Sequence, residues 1–291
     1  HLKRKYIKKK NILLFKDWKN LIKLKHLDAV IISTTHSLHS KILNTCINLN
    51  IHSFIEKPGG ISHIETKKIL DRLKKKHVSV KVGFNHRYHP TFILAKKLIS
   101  KNKIGKLMYI RAVYGHGGRL NYNKEWRFNK KISGGGELID KGSHLIDLSR
   151  LFLGNLSINF CKLKTFFWKM KLEDNCFLNL ENKKGAFAFL HASCTEWKNK
   201  FIFEIFGKDG KIEINGLGKS YGKETLIYYK MSKSMGIPKK NVYSFKNNEN
   251  FSWKMELNDF YLDIIKKRKS IPNINDVYEN LKIINRIYNN Q

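Results

Sequence analysis

LDAVIIS, residues 27–33, decides the fold, together with the two runs that answer it, HSFIE at 52–56 and VSVKVGF at 78–84. Each is short, nearly continuous in apolar character and rich in β-branched residues, the pattern of a parallel strand covered on both faces. Between the first two, Ser37 is placed to cap a helix whose apolar stripe is Ile42, Leu43, Cys46, Ile47 and Leu49. Between the second and third, Ser62 and Glu65 have the spacing of a capping box, and Ile64, Ile69, Leu70 and Leu73 follow. Strands alternating with helices of this length predict βαβ units in a doubly wound parallel sheet.

Past residue 88 the texture changes. Pro90, suited to a first helical turn, opens a helix through Leu94, Leu98 and Ile99 that stops at Gly105. KLMYIRAVYG (106–115), INFCKLKTFFW (158–168), CFLNLEN (176–182), GAFAFLHASC (185–194), KFIFEIFG (200–207) and KIEING (211–216) then follow, with turn residues between them. Such a series predicts a large, mostly antiparallel sheet. A helix over 136–153 interrupts the strands, two more close the chain after Trp253 and Asn275, and 216–223 reads as a loop. The expected fold is α/β plus α+β: an incomplete Rossmann sheet over 1–88, then an α/β substrate and oligomerisation domain over 89–291.

Composition bounds the function. No run of 18 apolar residues occurs among the 291, and the opening HLKRKYIKKK has no apolar core or cleavage site, so the sequence predicts neither a membrane span nor a secretory signal. Cys46, Cys161, Cys176 and Cys194 form no CxxC pair and no zinc spacing, which predicts reduced thiols, a cytoplasmic protein and no metal site. A net charge of +34 invites a nucleic-acid reading. All but nine of the 57 basic residues are lysines, however, spread along almost every element, whereas base and phosphate recognition favours the arginine fork. No nucleic-acid partner is expected, and the charge is free to steer anionic cofactors.

In an open parallel sheet, ligands sit beyond the carboxyl ends of the strands. There the first strand ends at Ser33 and delivers Thr34, Thr35 and, a turn later, His39; the second delivers Glu56, Lys57 and Pro58; the third delivers Asn85, His86, Arg87 and Tyr88. A solvated surface lysine is the plainer reading of Lys57 in so lysine-rich a chain. Pro58 argues otherwise, because it keeps Lys57 out of the helical region and admits a cis bond. A second cluster is SGGGELIDKGSHLIDLSRLFLG, residues 133–154. On a regular helix Asp140 and His144 share one face, with Asp147 nearly in line. Gly142 costs about 1 kcal/mol relative to alanine inside a helix, which predicts close approach by a backbone or a ligand. Gly134, Gly135 and Gly136 leave the helix entrance without a capping box, since Glu137 stands one position too late for Ser133.

Taken in order, Glu56-Lys57-Pro58-Gly59-Gly60, Asn85-His86-Arg87-Tyr88-His89-Pro90, Glu125-Trp126-Arg127 and Gly134-Gly135-Gly136 with Asp140-Lys141-Gly142-Ser143-His144 resemble the glucose-fructose oxidoreductase, inositol dehydrogenase and rhizopine catabolism (Gfo/Idh/MocA) family across nearly the whole chain. The resemblance implies a dehydrogenase passing hydride between a sugar or cyclitol carbon and the nicotinamide of NAD or NADP. It implies that Lys57 steadies the developing alkoxide or carbonyl oxygen, that His144 is the general acid/base and that Asp140 orients the imidazole. By the same resemblance Ser33, Thr34, Thr35, His39, Glu56, Pro58, Asn85, Trp126 and Arg127 border the cofactor, while Tyr88, Asn85 and His116 face the substrate. One departure stands out: no G-x-G-x-x-G turn and no ribose-reading acid are present, which leads to the expectation of a chain truncated at its start by about one βα unit, roughly 30 residues. Which nicotinamide and which sugar stay open. A nucleotide-binding regulator of the same fold without turnover is the alternative, and intact Lys57, Asp140 and His144 argue against it. An uncovered aromatic sheet face predicts a homo-dimer or homo-tetramer.

Overall fold

The computed structural model describes residues 12–246 and 250–290. Ala29–Ile32 (β1), His52–Glu56 (β2) and Val80–Gly83 (β3) form a parallel sheet in that order, with Ala29 opposite His52 and Ser53 opposite Val80. A short helix α1, Trp18–Leu21, precedes them, and α2 (His36–Asn48) and α3 (His63–Leu73) make the crossovers. Leu43, Cys46, Ile47, Ile55, Ile69 and Val82 are fully buried where these helices meet the strands. Helix α2 starts earlier than the Ser37 cap predicts: Thr35 is the N-cap, with no side-chain hydrogen bond. His36 is drawn into the first turn, where its ring is buried and bonded to Ser133, and that tertiary contact outweighs the local cap. At α3 Ser62 Oγ accepts from the Glu65 N–H at 3.3 Å, the serine half of the expected box.

Lys81, in the middle of β3, is wholly buried, so its charge demands partners. It finds them on α7 (Phe251–Ile265) and in the loop after it: Nζ donates to Asp259 Oδ2 at 2.7 Å and Asp263 Oδ2 at 2.9 Å of the helix, and to the Ile271 carbonyl at 3.0 Å. Helix α8 (Ile274–Asn289) then packs on α3 and β3. The sequence reading placed both helices with the second half; this buried lysine and the α8 packing bring them back onto the first sheet.

The second half holds α4 (Pro90–Ser100), β4 (Leu107–Gly115), a short α5 (Lys130–Ser133), α6 (Ser143–Leu153) and seven further strands. These are β5 (Ser157–Lys164), β6 (Asn175–Glu181), β7 (Phe187–Ser193), β8 (Lys200–Gly207), β9 (Gly210–Asn215), β10 (Thr225–Lys230) and β11 (Lys239–Ser244). The eight strands run in the order β11-β10-β9-β8-β4-β7-β6-β5. All neighbours are antiparallel except β4 and β7, which pair in parallel with Tyr109 opposite Phe187. Strands β10 and β11 escape the sequence reading. β11 is an edge strand with every residue exposed, so it offers no apolar alternation to see. Helices α4 and α6 cover one face, with Phe92 edge-on to Phe203 at 5.3 Å. The other face presents Tyr109 stacked on Phe187 and Phe206, Phe177 stacked on His191, and Phe189 more than half exposed.

Candidate active site

Two chain segments that the fold brings together make the centre of the site. The Lys57-Pro58 peptide is cis, at the corner leaving β2. Lys57 Nζ donates to Asp140 Oδ1 at 2.6 Å and to the Asp140 carbonyl at 2.9 Å. The second oxygen of Asp140 accepts from Lys141 Nζ at 2.8 Å. Against the desolvation of burial, Lys141 and then Lys57 hold the Asp140 carboxyl well below its ordinary range, so it is an anion clamped between two ammoniums. Lys141 is missed by the sequence reading, because adjacent residues of a regular helix point about 100° apart.

The turn itself explains that geometry. Leu138–Gly142 is a π-helical turn, wider than the α-turn assumed from sequence, and the α-helix begins only at Ser143. Asp140 turns its carboxylate to the two lysines and makes no hydrogen bond to His144, on which it acts through its charge, favouring the protonated ring. Asp147 leaves the line too, accepting from Arg87 Nε at 2.8 Å in a buried ion pair. At Gly142 an added Cβ would crowd Leu138 Cδ1 of the same turn at 3.2 Å, while the sheet stands at ordinary contact distance, 3.9 Å at Ala192 Cβ. The bare helix entrance is satisfied from afar, since Glu173 Oε1 accepts from the Gly136 and Leu138 N–H groups and from Tyr288 Oη at 2.6 Å. A side chain at Gly135 would collide with that same Tyr288 hydroxyl.

His144 is buried, its ring stacked on His86 with centroids 3.8 Å apart and planes 15° apart. Its Nδ1 is buried without a partner, which leaves Nε2 to meet a ligand. Burial, reinforced by the charge of Lys57, holds His144 well below the usual histidine range, so the imidazole is neutral and able to accept a proton. Lys57 is near enough for its charge to act on this ring.

At the mouth of β1, His39 Nε2 donates to the Thr34 carbonyl at 3.1 Å, and its Nδ1 is buried and unpartnered. Thr34 Oγ1 donates to the Thr35 carbonyl. His36, unforeseen from sequence although it stands one turn before His39, donates from Nδ1 to the Ser133 carbonyl at 2.8 Å and meets Trp126 edge-on at 5.0 Å. The Arg127 guanidinium lies over the Trp126 ring at 4.9 Å. Ser33, Glu56 and Pro58 fall on the same strand ends, as expected. Asn85 lines a cleft of 190 Å³ with His86, His89, Tyr114, Tyr221 and Glu224.

Two candidate substrate residues are already engaged. The Tyr88 hydroxyl donates to Asp259 Oδ2 at 2.7 Å in the Lys81 cluster, because that buried cluster needs a further donor. His116 accepts the Gly118 N–H at Nδ1, and its Nε2 meets Tyr122 Oη at 3.1 Å, which in turn donates to Glu137 Oε1. A wide groove of 1350 Å³ between Leu98, Phe206, Tyr228 and Met235 contains none of these residues.

The electrostatics give a stability prediction. Burial lowers His36 and His39 to about 4 and His116 to about 3, and holds His86 and His144 well below 6.5. A depressed histidine contributes stability above 6.5 that is lost as pH falls toward its folded value, because the unfolded chain binds the proton. Burial raises Glu137 to about 7 and Glu256 to about 9, and such groups lose their contribution as pH rises from 4.5 to those values. Between about pH 4.5 and 6.5 the depressed histidines outnumber the raised acids, so unfolding takes up protons net and stability falls as the pH falls. The melting temperature should peak between pH 6.5 and 7 and fall steeply toward pH 5; a flat profile across that interval contradicts the assignment.

Comparison with known proteins bears on this geometry. The family model described as an oxidoreductase family NAD-binding Rossmann fold matches residues 3–84, and the GFO/IDH/MocA C-terminal domain matches 92–213. Levoglucosan dehydrogenase of Pseudarthrobacter phenanthrenivorans is 32% identical over 226 residues, 68% of this chain and 58% of that protein. The NAD(+)-dependent scyllo-inositol 2-dehydrogenase of Bacillus subtilis is 29% identical over 197 residues, 66% of this chain and 56% of that protein. The chain thus spans under three fifths of the length of these two relatives. A solved structure of levoglucosan dehydrogenase in complex with NADH shares the fold, with TM-score 0.84 at 24% identity over 94% of this chain and 80% of that one.

Proposed function

The chain belongs to the GFO/IDH/MocA oxidoreductase family, and on that premise we propose that it is an NAD(P)-dependent dehydrogenase moving hydride between a carbinol carbon of a sugar or cyclitol and nicotinamide. The observation that carries the reading is the clamp of Lys57 on Asp140 beside the neutral, ligand-facing His144. The residues present suit the nicotinamide end of the cofactor: Lys57 and Glu56 close one strand end, Trp126 and Arg127 stand nearby, and the orphaned Nδ1 of His39 is sealed into the crevice. When bound, the nicotinamide supplies the hydride acceptor. His144 takes the hydroxyl proton at Nε2 as the hydride leaves. Lys57 stabilises the oxygen while it carries negative charge, and Asp140 holds that ammonium in place. Tyr88 and His116 have no part in this scheme, since their polar atoms are engaged within the protein.

The test is the appearance of reduced nicotinamide when the full natural chain meets NAD or NADP with a panel of aldoses, anhydrosugars and inositols. Turnover of at least one polyol is expected. Tight binding of reduced cofactor with no turnover anywhere in the panel would instead assign a nucleotide-binding regulator.

We further propose a nucleotide-binding half over 1–88, a catalytic and assembly half over 89–291 whose last two helices brace the first, and a homo-oligomer built on the open face of the eight-stranded sheet. Exposed Phe160 and Phe189 and the stacked Tyr109-Phe206 pair support that surface. Phe189→Asp is expected to reduce the native mass in sedimentation with an unchanged circular dichroism spectrum; a wild-type protein that sediments as a monomer removes the proposal. A cytoplasmic location is supported by two facts about the described residues: none of the cysteines is in a disulfide, and no helix is long and apolar enough to cross a membrane. No nucleic-acid or membrane partner enters this proposal.

A further inference from the structure

We infer that His86 sets the plane of the His144 imidazole and is thus a positioning residue for the proton transfer, an inference that rests on the dehydrogenase reading. A general base must present its lone pair along one direction, and a buried ring is held there either by a hydrogen bond at its far nitrogen or by packing on its faces. The first device is missing here. His144 Nδ1 has no partner, and both oxygens of the neighbouring Asp140 carboxylate are taken by Lys57 and Lys141. What touches the ring is aromatic: Phe84 edge-on at 6.3 Å, Tyr114 at 6.0 Å and, flat against one face, His86 at 3.8 Å.

His86 can serve as a reference plane because it is itself fixed. Its Nδ1 donates to Asn85 Oδ1 at 3.0 Å, and it meets the rings of His89 at 5.5 Å and Phe201 at 6.1 Å nearly at right angles. It stands on the single 3-10 turn Asn85–Tyr88, directly after β3. The 15° stack also excludes a relay between the two imidazoles. Ring N–H bonds lie in the ring plane, so in two stacked rings they point past one another and no proton crosses. The contribution of His86 is orientation, together with the attraction that the face of a neutral ring offers the imidazolium formed when His144 takes the proton.

The test compares His86→Leu with His86→Phe in the full natural chain. Leucine fills space without a plane, and phenylalanine restores the plane without the nitrogens. With saturating cofactor, His86→Leu is expected to lower kcat by about 10- to 100-fold with KM changed less than about threefold, and His86→Phe to recover kcat to within about threefold of wild type. Ring-proton resonances of His144 give a readout independent of turnover: the ring-current displacement should persist in His86→Phe and vanish in His86→Leu. Wild-type kcat in the leucine variant, an equal loss in both variants, or His144 resonances that do not respond to either substitution overturns the inference. Failure of the wild-type protein to oxidise any polyol would count against the dehydrogenase reading instead and leave the resonance result to judge the stack.

Discussion

Lys57→Met is expected to lower kcat by about 10²- to 10³-fold while reduced cofactor still binds, the loss found when one preorganised donor is taken from a developing oxyanion. Methionine keeps most of the length and apolar stem of lysine, so the corner before Pro58 retains its packing. What goes is the ammonium that Asp140 holds through a carboxylate oxygen and a backbone carbonyl. Asp140 stays ionised, since Lys141 alone still pairs with it, and the protein should melt within a few degrees of wild type. The contrast with Asp140→Asn is informative: Lys57 is then present but held by weaker, uncharged acceptors, and an intermediate loss is expected. Steady-state kcat beside fluorescence titration of the reduced cofactor reads both effects. A Lys57→Met protein turning over within tenfold of wild type would detach this residue from the chemistry.

His144→Asn is expected to cost about 10²- to 10⁴-fold in kcat, the span of a general acid/base. The pH dependence sharpens the claim. Burial and the charge of Lys57 depress the folded-state value of His144, so the neutral, proton-accepting form persists below 6.5. For polyol oxidation by wild type, kcat/KM should therefore hold level from about pH 8 down to 6.5 and fall only at lower pH, on the acid side of an unperturbed histidine. In His144→Asn that acid limb should disappear from the residual activity. An acid limb retained unchanged in the asparagine variant would hand the proton to another group.

Short, nearly continuous apolar runs expose β1, β2 and β3, although β1 leaves Ile31 exposed on one face. Lys57 is legible for a different reason: proline after it leaves few backbone conformations, and the residue types around it are distinctive. The Asp140 and His144 pair is legible as a set of residues and misread as a geometry, because a π-turn and an α-turn share composition while differing in where they aim successive side chains. Glu173 and the stacking of His86 on His144 are invisible from sequence for a related reason. Each does its work on a segment far along the chain, Glu173 on the glycine entrance and His86 on His144, and only the tertiary arrangement states it. Tyr88 and His116 stand near the motifs, and their partners, Asp259 and Tyr122, are set by the tertiary arrangement. Strand β11 is the exposed edge, where solvent permits nearly any polar residue, whereas β10 buries Leu226 and Tyr228 and carries an alternation that the sequence reading passed over.

The parallel seam between β4 and β7 lies well inside the eight-stranded sheet; the π-turn and α6 carry the chain from β4 out to the edge strand β5, and β6 and β7 bring it back to the seam. The imidazole of His144 is therefore carried on the crossover from an inner strand to the sheet's margin. Mutational drift in this segment is judged twice over, by chemistry and by assembly, whereas the hairpin of β10 and β11 hangs from one margin and can vary in length without parting the seam. An engineer seeking to graft a new loop should begin at that margin and leave the crossover intact.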